Sequence, residues 1–493
     1  MYARIKTLFN ESFVYSVGKI LGRSFSVVTM PIFTRAMSVS EYGILSLLRP
    51  FQELLRIFFE MGASASAARF YYDSDAIDYR TRLFSTLFFL IFGSSLLISV
   101  LLLLFAEPLW RALVKDVPFS PYVVLVIFSA LVTAPAVLTR TLFRVQGEAR
   151  RFVKLDFLYT LSIAMLAIPA VVIFDMGALG PLLSTLIAST IFFFVYLRHL
   201  RLHLAFRFSR SLAKQMLAFG LPEIPVRVGN WMLKSIGQVM LQHYWSLATV
   251  AVFSVAFAVA NILFELVINA VHWAIQPFYY QVAKEETQDK SDEIFAYVGT
   301  LNTTIILFFG LCTGLLGKEL IWIFASSKYA DAESIVTVLA ISAIFQFLFF
   351  IPSRVFYLEK KMLYLTPLLL FAVVINIGCN LLLIPEHGAV GAAWANLIAF
   401  GGRSVLGLIL AQRVHYIAYD YKRIGKAFAV FMALMLARYL IPAESAVPEL
   451  IFKLALLAMY PTLLYASGFF EERELRRARE LFREQVVRRV MRS

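Results

Sequence analysis

Four charged residues lie within a stretch that is long and apolar enough to cross a bilayer as one helix. The stretch covers residues 42–62, and its charges are Arg49, Glu53, Arg56 and Glu60, at steps of four, three and four. At about 100° per residue they fall within roughly 60° of one another on a helix. A charge at the bilayer centre costs at least about 2.5 kcal/mol, so this face must contact protein or water. We interpret it as the wall of a water-filled path or binding cavity; the alternative is a set of ion pairs that only locks the helix to its neighbours.

The composition extends this interpretation to the whole chain. Apolar residues make up 60% of it and charged residues 16%, with a mean hydropathy of +0.76, whereas soluble domains have about 45–50% and about 25%. We therefore predict an all-α polytopic membrane protein. Hydropathy places about fourteen spans near 12–33, 42–62, 83–105, 121–143, 152–174, 178–197, 217–241, 249–272, 295–316, 332–352, 363–384, 388–411, 424–441 and 449–468.

The basic residues divide unequally between the loops of these spans. Of the 46 Lys and Arg residues, 32 fall in segments on the side of the N-terminus and 5 in segments on the other side. Because loops rich in Lys and Arg stay inside, both termini are predicted to be cytoplasmic. This topology accounts for the net charge of +14, so no nucleic acid partner is implied.

The chain resembles itself at a shift of 211 residues. Gly177-Ala178-Leu179-Gly180 aligns with Gly388-Ala389-Val390-Gly391 at this shift, and the shift drifts so that Arg140 pairs better with Arg354. Parallel repeats of this kind form the two halves of many transporters, although a plain duplication without a transport role is the alternative. The predicted units are a six-helix lobe at 1–197, an amphipathic linker at 198–216, a second six-helix lobe at 217–412, two further helices at 413–470 and a basic tail at 471–493.

The basic tail has an amphipathic pattern. Eight arginines accompany apolar residues on one side of a predicted helix, which suits binding to the anionic inner leaflet. A solvated, frayed end is the alternative.

Polar residues recur at helical spacing on equivalent spans of the two lobes. The cations outnumber the acids on these spans, and a net positive cavity suits an anionic substrate such as a diphosphate head group. We expect substrate binding by Lys19, Arg23, Arg49, Arg56, Arg227 and Lys234. Three acids are candidates for carrying a coupling proton or pairing with a cation: Glu53, Glu60 and Glu265.

Neutral polar residues extend the predicted cavity. They are Asn230, Asn261, His272, Asn376 and Asn380. A buried, hydrogen-bonded structural role is the alternative for His272. No phosphate-binding Gly-rich loop, nucleophile elbow or His-Glu-x-x-His motif occurs, so we expect no enzyme activity, no cofactor and no metal site.

Four stretches carry a resemblance to a known family: TRAMSVSEYGILSL at 34–47, FRVQGEARRF at 143–152, LAFGLPEIP at 217–225 and PEHGAVGAAWANLIAF at 385–400. With them the chain resembles the Wzx-type flippases, the polysaccharide transporter family of the superfamily that includes the multidrug (MATE) exporters. The resemblance implies fourteen helices, two lobes around a central cavity with basic residues on the first two helices and the opposite lobe, and alternating access. The implied cargo is an undecaprenyl-diphosphate-linked oligosaccharide, moved to the outer leaflet of a bacterial inner membrane.

The resemblance also bears on coupling and partners. The lipid II branch binds sodium partly on span 11, where Asn376 and Asn380 match the spacing but the expected acid is absent, so we expect proton coupling through a Glu. The expected partners are the lipid-linked substrate and a glycan polymerase or chain-length protein, and the expected state is a monomer. The alternatives are a cation-coupled drug exporter of the same superfamily and, from another class, a membrane glycan polymerase or ligase.

Overall fold

The computed structural model describes residues 28–440 and 446–472, together with Glu474 and Arg476; side chains at 270, 273, 274, 276, 277, 439, 440, 446 and 447 are outside this description. Lys19 and Arg23, most of the first predicted span and nearly all of the basic tail therefore lie outside the described residues.

The first half of the described chain is helical throughout. Residues 28–36 are helical and are followed by α1 (Val39–Glu60), α2 (Ala63–Phe70), α3 (Ile77–Leu113), α4 (Val124–Thr133), α5 (Ala136–Val145), α6 (Ala149–Val172) and α7 (Leu179–Leu200). A π-helical turn, Phe119–Val123, leads into α4, and a short 3₁₀ turn and α8 (Arg210–Gly220) connect this half to the next.

The second half of the described chain is also helical. It consists of α9 (Glu223–Tyr244), α10 (Leu247–Leu263), a π-helical turn (Phe264–Ile268), α11 (Asn269–Glu285), α12 (Gln288–Leu315), α13 (Gly317–Phe324), α14 (Glu333–Leu348), α15 (Phe350–Leu358), α16 (Leu365–Val414), α17 (Tyr421–Leu440) and α18 (Ala446–Ala466). In the described residues nine helical segments are long and apolar enough to cross a membrane. This confirms the all-α, multi-pass prediction, while the number of fourteen spans stays a prediction.

The eleventh and twelfth predicted spans are one element, α16, that breaks at Gly388. Gly388 has a φ of 54°, a conformation that side chains other than glycine rarely adopt. A Cβ there would lie 3.0 Å from the indole ring of Trp245, whose Nε1 donates to the carbonyl of Ile384 at 2.8 Å. The break therefore needs glycine for both its backbone angle and its close contact.

Helix α1 touches both halves of the chain. It begins with a capping box, in which the Ser38 hydroxyl accepts from the backbone of Glu41 while the Glu41 carboxylate accepts from the Ser38 backbone. A Cβ on Gly43 would lie 2.1 Å from the carbonyl oxygen of Leu247, so glycine lets α1 and α10 approach closely. Leu48 on α1 and Phe253 on α10 belong to the hydrophobic core that fills this contact.

Loops rich in Lys and Arg meet at one end of the bundle. The Tyr72 hydroxyl donates to the carbonyl of Val145 at 3.1 Å, and Arg207 donates to Asp78 at 2.8 Å. Segments 69–82, 140–154 and 198–214 are therefore neighbours, and we call this end of the molecule the basic end.

One imidazole joins three helices next to the loop after α16. The His415 Nε2 lies 2.8 Å from Asp292 Oδ1 of α12, and its Nδ1 lies 2.7 Å from Glu359 Oε1 just after α15. Ionised carboxylates only accept hydrogen bonds, so both contacts are satisfied when the imidazole is doubly protonated. Burial alone would lower the pKa of His415, but the two carboxylates outweigh it and raise this pKa above its usual value.

We expect this histidine to make stability depend on pH. Because its pKa is raised in the folded state, its contribution is fully present below about pH 6.5 and is lost as the pH rises through the raised pKa. The expected loss is about 1 kcal/mol of unfolding free energy, measured by thermal unfolding between pH 6 and 9. His415→Gln should flatten this dependence. His387→Gln, at an exposed histidine 3.9 Å from Glu386, is the control and should keep it; equal profiles for the wild type and His415→Gln would contradict the assignment.

Candidate functional site

A buried carboxylate on α1 holds the two halves of the chain together near the basic end. The Glu60 side chain is 6% exposed; its Oε2 lies 2.9 Å from a guanidinium nitrogen of Arg227 on α9, and its Oε1 lies 3.4 Å from Arg56 one turn earlier on α1. The Arg227 and Arg56 side chains are 29% and 38% exposed, so water screens part of each interaction. Each charge-assisted hydrogen bond to Glu60 therefore contributes about 1.5–3 kcal/mol, less than the cost of breaking a fully buried pair.

Polar and backbone contacts surround this ion pair. The indole nitrogen of Trp231 on α9 donates to the carbonyl of Pro50 on α1 at 2.7 Å. Beyond the end of α1, a Cβ on Gly62 would lie 2.3 Å from the carbonyl oxygen of Gly220. The Ser66 hydroxyl donates to the carbonyl of Met216 at 2.8 Å. The basic end is thus closed by charges, hydrogen bonds and glycine contacts.

The charged stripe of α1 divides into a paired part and an exposed part. The interpretation as helix-locking ion pairs holds for Arg56 and Glu60, which pair along the helix and with α9. Arg49 and Glu53 are exposed, and within the described chain no ion pair joins either of them to another side chain. Their predicted roles in substrate binding and coupling stay predictions.

The same face of α9 continues into a cavity in the second half. Asn230 and Lys234, one and two turns after Arg227, line a space of about 500 Å³ together with Arg354 of α15 and Arg403 of α16. The structure thus brings the predicted Asn230 and Lys234 together with Arg403, a polar residue of the twelfth predicted span, and with Arg354. Arg354 lies just beyond the tenth predicted span, and its match with Arg140 in the repeat is the signal that points to it.

Three predicted cavity residues lie on α10, on α11 and on the turn between them: Asn261, Glu265 and His272. Asn261 and His272 form hydrogen bonds within the protein. Asn261 donates to the carbonyl of Phe257 in its own helix at 2.9 Å, and Glu265 lies in the π-helical turn between the two helices. His272 is buried, with its Nε2 3.1 Å from the Asn302 amide. The His272 carbonyl accepts from Arg354 at 3.3 Å, which places this helix behind the cavity.

Three asparagines form a buried chain in α16. Asn376 donates to Asn396 at 2.9 Å, and Asn380 donates to Asn376 at 3.0 Å. The Oδ1 atom of Asn380 is buried without a hydrogen-bond partner. A search of the described residues finds no group of three His, Cys, Asp or Glu side chains that could hold a metal ion.

The chain has the features of the class of multi-pass membrane transporters. Its helices are long and apolar, and its two halves are joined by an ion pair beside a polar cavity. More narrowly, the chain belongs to the polysaccharide biosynthesis protein family, whose family model matches residues 8–282, more than half of the chain. This confirms the resemblance to the polysaccharide transporter family. No curated protein matches the sequence.

Solved structures agree on the fold. The lipid II flippase MurJ in an inward closed conformation has a TM-score of 0.71 at 15% identity, covering 93% of this chain and 100% of that one. An inward-facing multidrug resistance MATE family transporter of the MOP superfamily has a TM-score of 0.62 at 16% identity, with coverages of 82% and 95%. The MATE multidrug transporter DinF-BH has a TM-score of 0.56 at 16% identity, with coverages of 84% and 96%. The chain therefore shares its fold with these transporters.

Breaking the Glu60–Arg227 pair should open the basic end. We expect Glu60→Gln or Arg227→Gln to lower the unfolding free energy of the closed form by about 2 kcal/mol. Each change should also make the thiol in Ser66→Cys, which replaces a buried side chain, react several-fold faster with a water-soluble maleimide, in a background with Cys312 and Cys379 replaced.

The matched control is Arg69→Gln, which breaks an exposed pair with Asp73 at 2.7 Å and should leave thiol reactivity unchanged. Equal reactivity in Glu60→Gln and the unaltered background would show that this pair does not close the basic end.

Proposed function

We propose that the protein is a flippase that moves an undecaprenyl-diphosphate-linked oligosaccharide from the inner to the outer leaflet of the cytoplasmic membrane by alternating access. The observation that carries the proposal is the buried Glu60 between Arg56 and Arg227. In this chain of the polysaccharide biosynthesis protein family, the contact between the two halves is an ion pair. Such a contact is reversible when another group can replace one of the charges.

The substrate is that replacing group. A diphosphate carries negative charges and accepts bidentate hydrogen bonds from arginine. When it enters from the basic end, it can take over Arg56 and Arg227 from Glu60, assisted by Arg49 and by the predicted Lys19 and Arg23. A ligand shifts a conformational equilibrium only through a difference in affinity between the states, and this exchange of counter-ions supplies that difference.

Coupling to a proton fits the same pair. Protonation of Glu60 removes the charge that holds Arg227, so it favours separation of the halves in the same direction as substrate entry. Glu53 and Glu265 are further candidates, and we keep the proton as the preferred ion over sodium. The protein is proposed to act without a cofactor, as a monomer with both termini in the cytoplasm, alongside a glycan polymerase or chain-length partner.

A drug exporter is the second candidate, because MATE transporters share the fold. The arginines and lysine of α1, α9 and the adjoining cavity argue against it, since they repel a cationic drug. A glycan polymerase or ligase is disfavoured by the family, and we infer that the protein is not an enzyme.

Export in cells tests the proposal directly. A strain that lacks this protein, and has no second flippase, should synthesise the lipid-linked glycan but keep it in the inner leaflet, and expression of the protein should restore the glycan to the surface. Normal surface glycan in the deletion strain would refute the proposed function. Restored drug resistance without glycan export would favour the exporter.

Arg49 provides a test at the level of one side chain. We expect Arg49→Ala to reduce export at least ten-fold while the protein stays folded in the membrane, because the residue is exposed and makes no ion pair with a described residue. Arg49→Lys keeps the charge and should retain part of the activity. Loss of the folded protein in Arg49→Ala would instead indicate a structural role.

A further inference from the structure

We propose that Lys234, Arg354 and Arg403 form a binding site for a phosphate-ester anion of about diphosphate size inside the second half of the chain. The site lies beside the Glu60–Arg227 contact, since Arg227, Asn230 and Lys234 follow one another on a single face of α9. Assigning the anion to a lipid rests on the proposed flippase function; the chemistry of the site does not.

The cavity holds three cations and no acid. Its lining contains Lys234, Arg354 and Arg403 but no Asp or Glu, and no carboxylate of the described chain forms an ion pair with any of the three. Arg354 is buried and Arg403 is partly buried, while Lys234 is exposed on the same wall. Buried charges are normally paired, so the two arginines favour a counter-ion from outside the chain.

The contacts of the two arginines are with neutral groups. Arg354 is 9% exposed and donates to the carbonyl of His272 at 3.3 Å. The Arg403 guanidinium lies 4.0 Å from the ring centre of Phe349, and its Nε is buried without a hydrogen-bond partner. Both guanidinium groups therefore have donors left for a ligand.

In the first half of the chain, the equivalent arginine is neutralised by an acid. Arg140, the repeat partner of Arg354, forms an ion pair with Asp156 at 3.0 Å and lies over the ring of Tyr159. Shifted by the 214 residues that separate the two arginines, Asp156 falls on Leu370. The second copy thus has the arginine without its acid, which distinguishes a ligand site from a structural pair.

The shape of the cavity suits the ligand. Its volume of about 500 Å³ lies within the range of small-molecule sites. Its wall includes Leu365 and Thr366 in the first turn of α16, where the helix dipole adds to the positive potential. Asn230 and Tyr357 supply neutral hydrogen-bonding groups on other walls.

Binding by the purified full-length protein tests the site. Inorganic pyrophosphate should raise the thermal stability of the protein in detergent in a saturable manner, at constant ionic strength, more than sulfate or chloride does. Arg403→Gln and Arg354→Gln should each weaken pyrophosphate binding at least ten-fold. Arg413→Gln, at an exposed position on α16 outside the cavity, should leave binding within two-fold of the wild type.

A second pair of variants keeps all three cations, so it tests the site even if the arginine variants fail to fold. Thr366 is exposed on the cavity wall, so Thr366→Glu supplies the missing acid with all three cations in place. It should weaken pyrophosphate binding at least ten-fold, whereas Thr366→Gln should leave it within two-fold. Absence of saturable binding to the wild type, or equal binding by Thr366→Glu and Thr366→Gln, would overturn the proposal.

Competition identifies the source of the anion. If undecaprenyl diphosphate in mixed micelles displaces pyrophosphate and undecaprenol does not, the ligand is the lipid head group. If neither displaces it, the anion site stands and its ligand is a soluble phosphate ester. This binding is measured without transport. A failure to bind pyrophosphate is therefore distinguishable from a failure of glycan export in the deletion strain.

Discussion

A carboxylate buried between two guanidinium groups is the contact on which the closed form of this protein depends. Glu60 belongs to α1 and Arg227 to α9, so one ion pair spans the boundary between the two halves of the chain. The carboxylate is buried, so it depends on these two partners for compensation of its charge. In the function that we propose, this contact is exchangeable, and a diphosphate or a proton satisfies one partner when the halves separate. An apolar contact of the same area has no charge that a competing anion or a proton could neutralise.

The two halves use similar helices for different purposes. In the first half Arg140 is neutralised by Asp156, and the pair serves packing. In the second half Arg354 and Arg403 face a cavity together with Lys234, with no acid in its lining. In the repeat predicted from the sequence, the difference arises from single positions, since Leu370 occupies the position equivalent to Asp156. The proposed ligand site then belongs to one copy and the structural pair to the other.

Much of the architecture was predictable because the bilayer imposes simple rules. Long apolar segments, loops rich in Lys and Arg, and the stripe from Arg49 to Glu60 follow from the cost of placing polar groups in lipid. The stripe predicted that α1 faces protein or water, and Arg56 and Glu60 do contact protein. The sequence did not show that Arg56 and Glu60 pair while Arg49 and Glu53 do not, because the choice depends on Arg227, more than 160 residues away in the chain. Arg354 was missed as a cavity residue for the same reason.

The sequence by itself determined the helical, membrane-spanning class, the family and the side chains that carry charge, because hydropathy and helical periodicity are local properties. The tertiary structure decided which charges neutralise one another and which remain for a ligand. That decision depends on distances of a few ångström between distant segments, such as Glu60 to Arg227 and His415 to Asp292. Electrostatic pairing in a medium of low dielectric constant is governed by these distances, and no local pattern in the chain encodes them.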